Sequence, residues 1–233
     1  MTEEKKIAIL VDGDNAQPKL LKQIVDEVAK YGKATIRRIY GDWTSPQMNG
    51  WKTELNETSF SPIQKFAYTT GKNSTDSALI IDAMDILYSK NVDGFCIVSS
   101  DSDYTGLAKR IREEGILVIG IGEKKTPSAF IQSCEIFTFC ENLIHTTTPS
   151  VEANLPKDLI DFIDKAYDKA AGDDDQAYMS EVGSILRKID PTFDVRSYGF
   201  STLSSFFKAL DSYEVIDNKV GALNHYLLRK NSE

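Results

Sequence analysis

The alternation of two hydrophobic patterns along the first 140 or so residues constrains this chain more than any other feature. Short runs rich in β-branched and aromatic residues are separated by longer stretches of helical period. This order is typical of a parallel sheet with helices on both of its faces. Strands are predicted at residues 7–11, 34–40, 63–68, 95–99, 117–121 and 136–139, and helices near 17–31, 47–56, 75–89, 103–114 and 127–133. The fold class expected for this part is α/β.

A polar, proline-marked stretch interrupts the alternation after residue 144. It contains three consecutive threonines followed by Pro149 and Pro156, and it has no hydrophobic period. Beyond it, helices are predicted at 157–170, 176–189 and 200–211, followed by short strands at 213–215 and 224–228. Three helices and a hairpin are typical of a small winged-helix domain. We therefore expect two domains, residues 1–144 and 156–230, joined by a linker at 145–155.

The charge balance limits the class of partner. The chain has 27 basic and 35 acidic side chains and a net charge of −8. This sign argues against a basic nucleic-acid coat protein and a polycationic membrane binder, because the chain repels phosphate at long range. The apolar run at 7–11 is too short for a signal-peptide core or a membrane span, so a cytoplasmic location is expected.

Three cysteines, Cys96, Cys134 and Cys140, stand among apolar or aromatic neighbours and include no C-x-x-C pair. This pattern favours reduced thiols in a core over a disulfide framework. The spacing of Cys134, Cys140 and His145 matches no common zinc pattern.

Acidic residues follow two of the predicted strands. Asp12 and Asp14 come after the first strand, Asp101 and Asp103 after the fourth, and Asp76 opens a helix at the same edge. Because ligands bind outside the carboxyl ends of parallel strands, we expect these side chains to converge. Converging carboxylates repel one another unless a cation lies between them. Ligands that are all oxygen favour Mg²⁺ or Mn²⁺.

Some of these acids also have a structural interpretation. Asp76 and Asp103 suit the starts of helices, where a carboxylate interacts with unpaired amide groups, and Asp14 suits a turn. Asp12 and Asp101 are harder to explain in this way, because an acid at the end of a buried strand is costly without a partner. The argument for a site therefore depends on these two acids occurring together.

The histidines and the other aspartates of this part of the chain are weaker candidates for catalytic residues. The chain has only two histidines, His145 and His225, which disfavours a paired-histidine nuclease and a Ser-His-Asp hydrolase. Asp82 and Asp85 are out of helical phase with Asp76, and we expect them on a partly solvated face.

Three acidic segments occur in order along the first domain, at residues 9–15 (ILVDGDN), 71–76 (GKNSTD) and 98–104 (VSSDSDY). They resemble the three motifs of NYN domains, the LabA-like branch of the PIN-like nuclease superfamily, and the match covers about residues 5–142. The resemblance implies a PIN-like (Rossmannoid) sheet and a Mg²⁺- or Mn²⁺-dependent ribonuclease. It also implies that Asn15 orients the first loop. Ser100 departs from the family pattern, in which a glycine more usually precedes the aspartate of the third motif. The catalytic and metal-binding acids implied are Asp12, Asp76, Asp101 and Asp103.

The second domain contains residues 179–186 (MSEVGSIL), 193–200 (FDVRSYGF) and 203–210, which resemble the OST-HTH, or LOTUS, domain. This resemblance implies a winged-helix module for RNA or protein binding. We interpret its aromatic residues Tyr198, Phe200, Phe206 and Phe207 as core residues and not as platforms for stacked bases.

Basic residues near the acidic edge are candidates for phosphate contacts. Lys72 precedes Asp76, and Lys124 and Lys125 follow the fifth strand. Together with Asn15, these three lysines are the predicted substrate-binding residues. A basic run at residues 109–112 also lies near the edge, and such a run equally suits a solvated helix face.

The expected function is a metal-dependent endoribonuclease with a C-terminal RNA-binding or adaptor module. RNA is the expected partner, with a possible protein partner for the C-terminal domain and no membrane. Two alternatives stay open. The segment 12–14 (DGD) resembles the nucleophile motif of haloacid-dehalogenase-like phosphatases, although Asn15 stands where Thr or Val normally follows. Alternatively, the acids belong to a catalytically weak RNA-binding scaffold.

Overall fold

The acidic edge is built by the first of two compact units, Met1–Ile144 and His145–Glu233. We describe a computed structural model of the chain over residues 4–65, 74–144, 156–172, 175–220 and 223–231. The predicted linker at 145–155 lies outside these residues, as does Lys72.

A six-stranded parallel sheet forms the centre of the first unit, which confirms the predicted α/β class. Its strands are β1 (Lys6–Asp12), β2 (Lys33–Gly41), β3 (Ser61–Gln64), β4 (Gly94–Val98), β5 (Leu117–Gly122) and β6 (Ile136–Phe139). They lie in the order β3-β2-β1-β4-β5-β6. The order reverses between β1 and β4, and a crevice outside the carboxyl ends of such neighbours is the usual ligand site of this architecture.

Helices cover both faces of the sheet. They are α1 (Leu21–Val28), α2 (Trp51–Thr58), α3 (Ser74–Ser89), α4 (Thr105–Glu113), α5 (Ser128–Ile131) and α6 (Cys140–Ile144). One core cluster joins α3, α4 and α5 to Ala8 and Leu10 of β1. The other joins α1, α2 and α6 to Ile7, Ile9 and Val11, because alternate side chains of a strand point to opposite faces.

The predicted elements differ from the structure mainly at their ends. The helix expected from residue 17 begins as a 3-10 turn at Pro18–Leu20, because the proline ring suits the first helical positions and its nitrogen donates no hydrogen bond. Another 3-10 turn, Pro46–Gly50, precedes α2. The third strand was predicted at 63–68, whereas β3 covers Ser61–Gln64 and residues 66–68 lie outside the described part.

The second unit is a small domain of helices and antiparallel strands. Its helices are α7 (Lys157–Ala170), α8 (Met179–Ile189) and α9 (Leu203–Lys208), and its strands are β7 (Gln176–Tyr178), β8 (Tyr213–Ile216), β9 (Lys219–Val220), β10 (Leu223–Asn224) and β11 (Leu227–Lys230). One sheet has the order β7-β11-β8, and β9 pairs with β10. The helix predicted from residue 176 was wrong at its start, because Gln176–Tyr178 form the strand β7, which pairs with Leu227–Arg229 of β11, 49 to 53 positions further along the chain.

Aromatic rings fill the core of the second unit. Phe206 and Phe207 are fully buried, and Tyr198 and Phe200 pack against the same cluster. This packing confirms their interpretation as core residues.

The three cysteines lie in the first unit. Cys96, Cys134 and Cys140 are buried free thiols. Burial raises the pKa of Cys134 and of Cys140 to about 12, so both stay protonated at neutral pH.

The helices can be compared with the length and composition that a membrane span requires. Within the described residues, no helix has the length and apolar character needed to cross a bilayer.

Candidate active site

The strand order places the first and third acidic segments side by side. Asp12 is the last residue of β1, β4 pairs directly with β1, and Asp101 and Asp103 follow β4. These segments meet at the point where the strand order reverses, at the sheet edge where ligands of this architecture bind.

Asp12 is held by three donors. Its Oδ2 accepts hydrogen bonds from Asn15 Nδ2 at 2.8 Å and Ser99 Oγ at 2.9 Å, and its Oδ1 accepts one from the amide of Asp14 at 3.2 Å. The residue is 0% exposed, and burial raises its pKa while these hydrogen bonds oppose the rise. Asn15 therefore contacts the acid whose loop it was predicted to orient.

The glycine after Asp12 keeps this loop against β2. A Cβ atom at Gly13 would lie 2.6 Å from the carbonyl oxygen of Tyr40 and 2.8 Å from Cε of Met48. The amide of Gly13 also donates to that carbonyl at 2.8 Å. The close approach requires glycine and fixes the direction in which the chain leaves β1.

Ser99 links Asp12 to the segment after β4. Its Oγ donates to Asp12 and accepts a hydrogen bond from the amide of Asp101 at 3.1 Å. Asp101 caps the 3-10 turn Ser102–Tyr104, because its Oδ1 accepts a hydrogen bond from the amide of Asp103 at 3.0 Å. Ser100, which departs from the usual glycine, accepts a hydrogen bond from the amide of Glu123 and so ties this segment to the one after β5.

Asp76 joins the group from the first turn of α3. Its pKa is raised first by burial and then by the negative charges of Asp12, Asp101 and Asp103, while a hydrogen bond from Tyr104 opposes the rise. Carboxylates that raise the pKa of one another are close in space. Asp76 thus lies near enough to the other three predicted acids for their charges to act on it.

Tyr104 is a site residue that the sequence reasoning missed. Its hydroxyl donates to Asp76 Oδ1 at 2.7 Å, and Asp12 also interacts with it. It directly follows Asp103 in the third acidic segment, but nothing in the sequence shows that its hydroxyl reaches a carboxylate on α3.

Asp82 is also better partnered than the sequence indicated. Its carboxylate accepts hydrogen bonds from the Arg38 guanidinium and the Tyr40 hydroxyl, both on β2. Its side chain is 24% exposed, so the expectation of a partly solvated face was incomplete. These contacts fasten α3 to β2, whereas Asp85 on the same helix is exposed.

Two of the three predicted phosphate-binding lysines lie in the described residues, and both are at the surface. Lys124 and Lys125 are both exposed after β5, and Lys125 Nζ lies 2.8 Å from a carboxylate oxygen of Glu123. Such a surface ion pair is weak and exchanges readily for a phosphate contact.

The donor set suits a hard divalent ion. Within the described part of the chain, no group of three or more His, Cys, Asp or Glu side chains can hold an ion as it stands. Mg²⁺ commonly takes one or two protein carboxylates and completes its shell with water and substrate phosphate. Asp76 and Asp101 are partly exposed and Asp103 is exposed, so these three carboxylates reach solvent directly.

We expect Asp76→Asn to raise the melting temperature of the metal-free protein at neutral pH. The folded pKa of Asp76 is raised, so its negative charge opposes folding once the pH exceeds both the unfolded and the folded pKa. Below the unfolded-state pKa of about 3.9, the carboxyl group is protonated in both the folded and the unfolded protein, so the two proteins should have the same melting temperature. The asparagine keeps an oxygen that accepts from Tyr104.

Thermal unfolding followed by circular dichroism in chelator, over a pH series, measures this effect. Asp85→Asn is the matched control, since it removes an exposed carboxylate from the same helix. A melting temperature for Asp76→Asn at or below that of the unchanged protein at pH 7 would contradict the expected repulsion.

A known family model matches each of the two domains. The NYN domain model matches residues 6–144, and the OST-HTH/LOTUS domain model matches residues 153–225. The two matches follow the order that the sequence motifs indicated.

Individual relatives carry less functional information. An uncharacterized protein of Methanocaldococcus jannaschii is 26% identical over 135 residues, which are 56% of this chain and 52% of the relative. The chain thus spans about half the length of that relative. A crystal structure of a protein of unknown function from Vibrio parahaemolyticus is similar with a TM-score of 0.52 and 21% identity, covering 60% of this chain and 95% of the other. That likeness supports the fold.

Proposed function

Because the chain belongs to the NYN domain family, we propose that its four clustered acids form the active site of a metal-dependent endoribonuclease. The family lies within the PIN-like nuclease superfamily, and the following domain is of the OST-HTH/LOTUS type. The observation that carries the proposal is the link that Ser99 makes between Asp12, at the end of β1, and Asp101, which follows the neighbouring strand β4. The negative charges of Asp12, Asp101 and Asp103 also repel that of Asp76. Repulsion of this kind calls for a cation.

Asp76, Asp101, Asp103 and Asp12 are the residues proposed to hold Mg²⁺ or Mn²⁺. When bound, such an ion activates water and neutralises charge on a phosphoryl group. Ser99 and Asn15 keep the Asp12 carboxylate in one orientation, and the cap of Asp101 fixes the turn that carries Asp103. The chain therefore arranges its charged groups before substrate arrives.

Asn15, Lys72, Lys124 and Lys125 are proposed to contact the RNA backbone. The net charge of −8 repels RNA elsewhere, so binding should be weak, strongly salt-sensitive and dependent on a few lysines and on the ion. We propose that the second domain adds RNA binding or recruits a protein partner.

The sequence around Asp12 disfavours the phosphatase alternative. Asn15 stands where Thr or Val normally follows the haloacid-dehalogenase motif, and the NYN domain model matches residues 6–144. The four clustered acids suit an ion site better than a covalent nucleophile.

Cleavage assays in the presence and absence of metal test the proposed function. We expect internally cut products from single-stranded or hairpin RNA in Mn²⁺ or Mg²⁺, no cleavage in excess chelator, and full recovery when Mn²⁺ is restored, because the carboxylates alone supply no electrophile. Cleavage that persists in chelator contradicts the metal dependence. Tight RNA binding with no turnover in either metal favours the regulatory scaffold.

A further inference from the structure

The Tyr104 hydroxyl binds an acid of the candidate site that comes from a different element. The ring is 0% exposed and packs in the core cluster between the sheet and α3, α4 and α5, where its centroid lies 6.3 Å from that of Phe130. Its hydroxyl donates to Asp76 Oδ1 on α3 at 2.7 Å, and Asp12 at the end of β1 also interacts with it.

The hydroxyl reaches the acids from the interior of the protein. Because the ring is fully buried while Asp76 is partly exposed, the contact leaves access to Asp76 from the solvent side. The Tyr104 hydroxyl is the donor in this contact, because a carboxylate oxygen accepts hydrogen bonds and a phenol is protonated at neutral pH. A donor that one phenol ring holds rigidly restricts the rotation of the carboxylate that accepts from it.

We propose that Tyr104 is a positioning residue for the divalent-ion site, and that its hydroxyl fixes the Asp76 carboxylate beside Asp12 for ion binding. This inference rests on the proposed function of the acid cluster. Hydrogen-bond partners of metal-binding carboxylates commonly contribute about 10- to 100-fold to metal affinity or activity. Tyr104→Phe should therefore weaken ion binding while keeping the buried ring.

Tyr40 provides a matched control. Its ring is also 0% exposed and in the same core cluster, and its hydroxyl also donates to an aspartate of α3, but that acid is Asp82. Tyr40→Phe therefore removes a buried hydroxyl and loosens the same helix without touching an acid of the site. A general weakening of α3 would affect both variants alike.

Direct Mn²⁺ binding to the full chain, measured from the electron paramagnetic resonance signal of free Mn²⁺, tests the inference without relying on activity. We expect Tyr104→Phe to bind Mn²⁺ about 10-fold or more weakly and Tyr40→Phe to bind within about twofold of the unchanged protein. In cleavage assays, the Mn²⁺ concentration for half-maximal rate should rise by the same factor. Most of the rate should return at saturating Mn²⁺.

The outcomes separate the inference from the proposed function. Equal Mn²⁺ affinity of Tyr104→Phe and the unchanged protein, or equal losses in both tyrosine variants, overturns the positioning role. Mn²⁺ binding that depends on Tyr104 but supports no RNA cleavage overturns the nuclease proposal and leaves the positioning role in place. A protein that binds no Mn²⁺ overturns both.

A second measurement covers the case in which Tyr104→Phe does not fold. In the unchanged protein labelled with ¹³C-tyrosine, Mg²⁺ should shift the Cζ resonance of Tyr104 and leave that of Tyr40 in place. A Tyr104 resonance that does not respond while Mg²⁺ binds would contradict the inference.

Discussion

Asp101→Asn is expected to lower metal-dependent RNA cleavage at least about 100-fold while the protein stays folded, by comparison with the loss of one transition-state stabiliser. The negative charge of Asp101 contributes to the raised pKa of Asp76, and it is one of the charges proposed to hold the ion. Its structural contact survives the change, because the Oδ1 that accepts from the Asp103 amide is retained and asparagine is an equally good capping residue. A large loss of cleavage would therefore be caused by the missing negative charge and not by a disrupted turn.

Asp93→Asn is the matched control for this experiment. Asp93 lies just before β4, at the opposite end of the strand from Asp101, and its carboxylate also accepts a backbone hydrogen bond, from the amide of Lys6 at 2.8 Å. Cleavage by Asp93→Asn should equal that of the unchanged protein. Equal cleavage by Asp101→Asn and the unchanged protein, in preparations cleared of contaminating nuclease, would falsify the proposed site.

Phe206→Ala is expected to destabilise the second unit by about 3–5 kcal/mol, the usual cost of removing a buried phenylalanine ring. Phe206 is 0% exposed, and its ring lies 5.3–6.0 Å, between centroids, from four others, namely Phe193, Tyr198, Phe200 and Phe207. Since every 1.4 kcal/mol is a factor of ten, amide exchange in α8 and α9 should speed up at least about 100-fold, wherever exchange requires the unit to open.

Hydrogen exchange followed by mass spectrometry of peptides from residues 179–208 measures this loss locally. Phe200→Ala is the control, because Phe200 is only partly buried and contacts the same central ring. Its effect should be clearly smaller, since the free energy lost scales with the apolar area removed from the core. Equal effects of the two substitutions would show that Phe206 does not hold the centre of this core.

Local sequence patterns predicted most of the fold. The central strands β1, β4 and β5 were found near their predicted positions because each is a short buried run, and burial on both faces requires apolar residues along the whole strand. The patterns failed where a distant segment decides the structure. The backbone of Gln176–Tyr178 forms β7 because it pairs with Leu227–Arg229, and no local propensity reports such a partner.

The sequence predicted which acids belong to the candidate site, but it did not predict which side chains contact them. Asp12 and Asp101 stand out in the sequence because each follows a buried strand, where a carboxylate without a partner is costly. The roles of Ser99 and Tyr104 were not predicted, since Ser99 contacts Asp12 across 87 positions of sequence and Tyr104 contacts Asp76 across 28. Those contacts exist only after the strands have paired and the helix has packed.

The sequence by itself determined that this chain has a parallel sheet with acids at its strand ends, because hydrophobic period and strand-end position are local properties. The tertiary structure alone decided that β1 lies beside β4, that the Tyr104 hydroxyl donates to Asp76, and that Arg38 and Tyr40 bind Asp82. The physical reason is that a side chain's partners depend on how separate elements pack, and this packing is set by the whole core and not by neighbours in sequence.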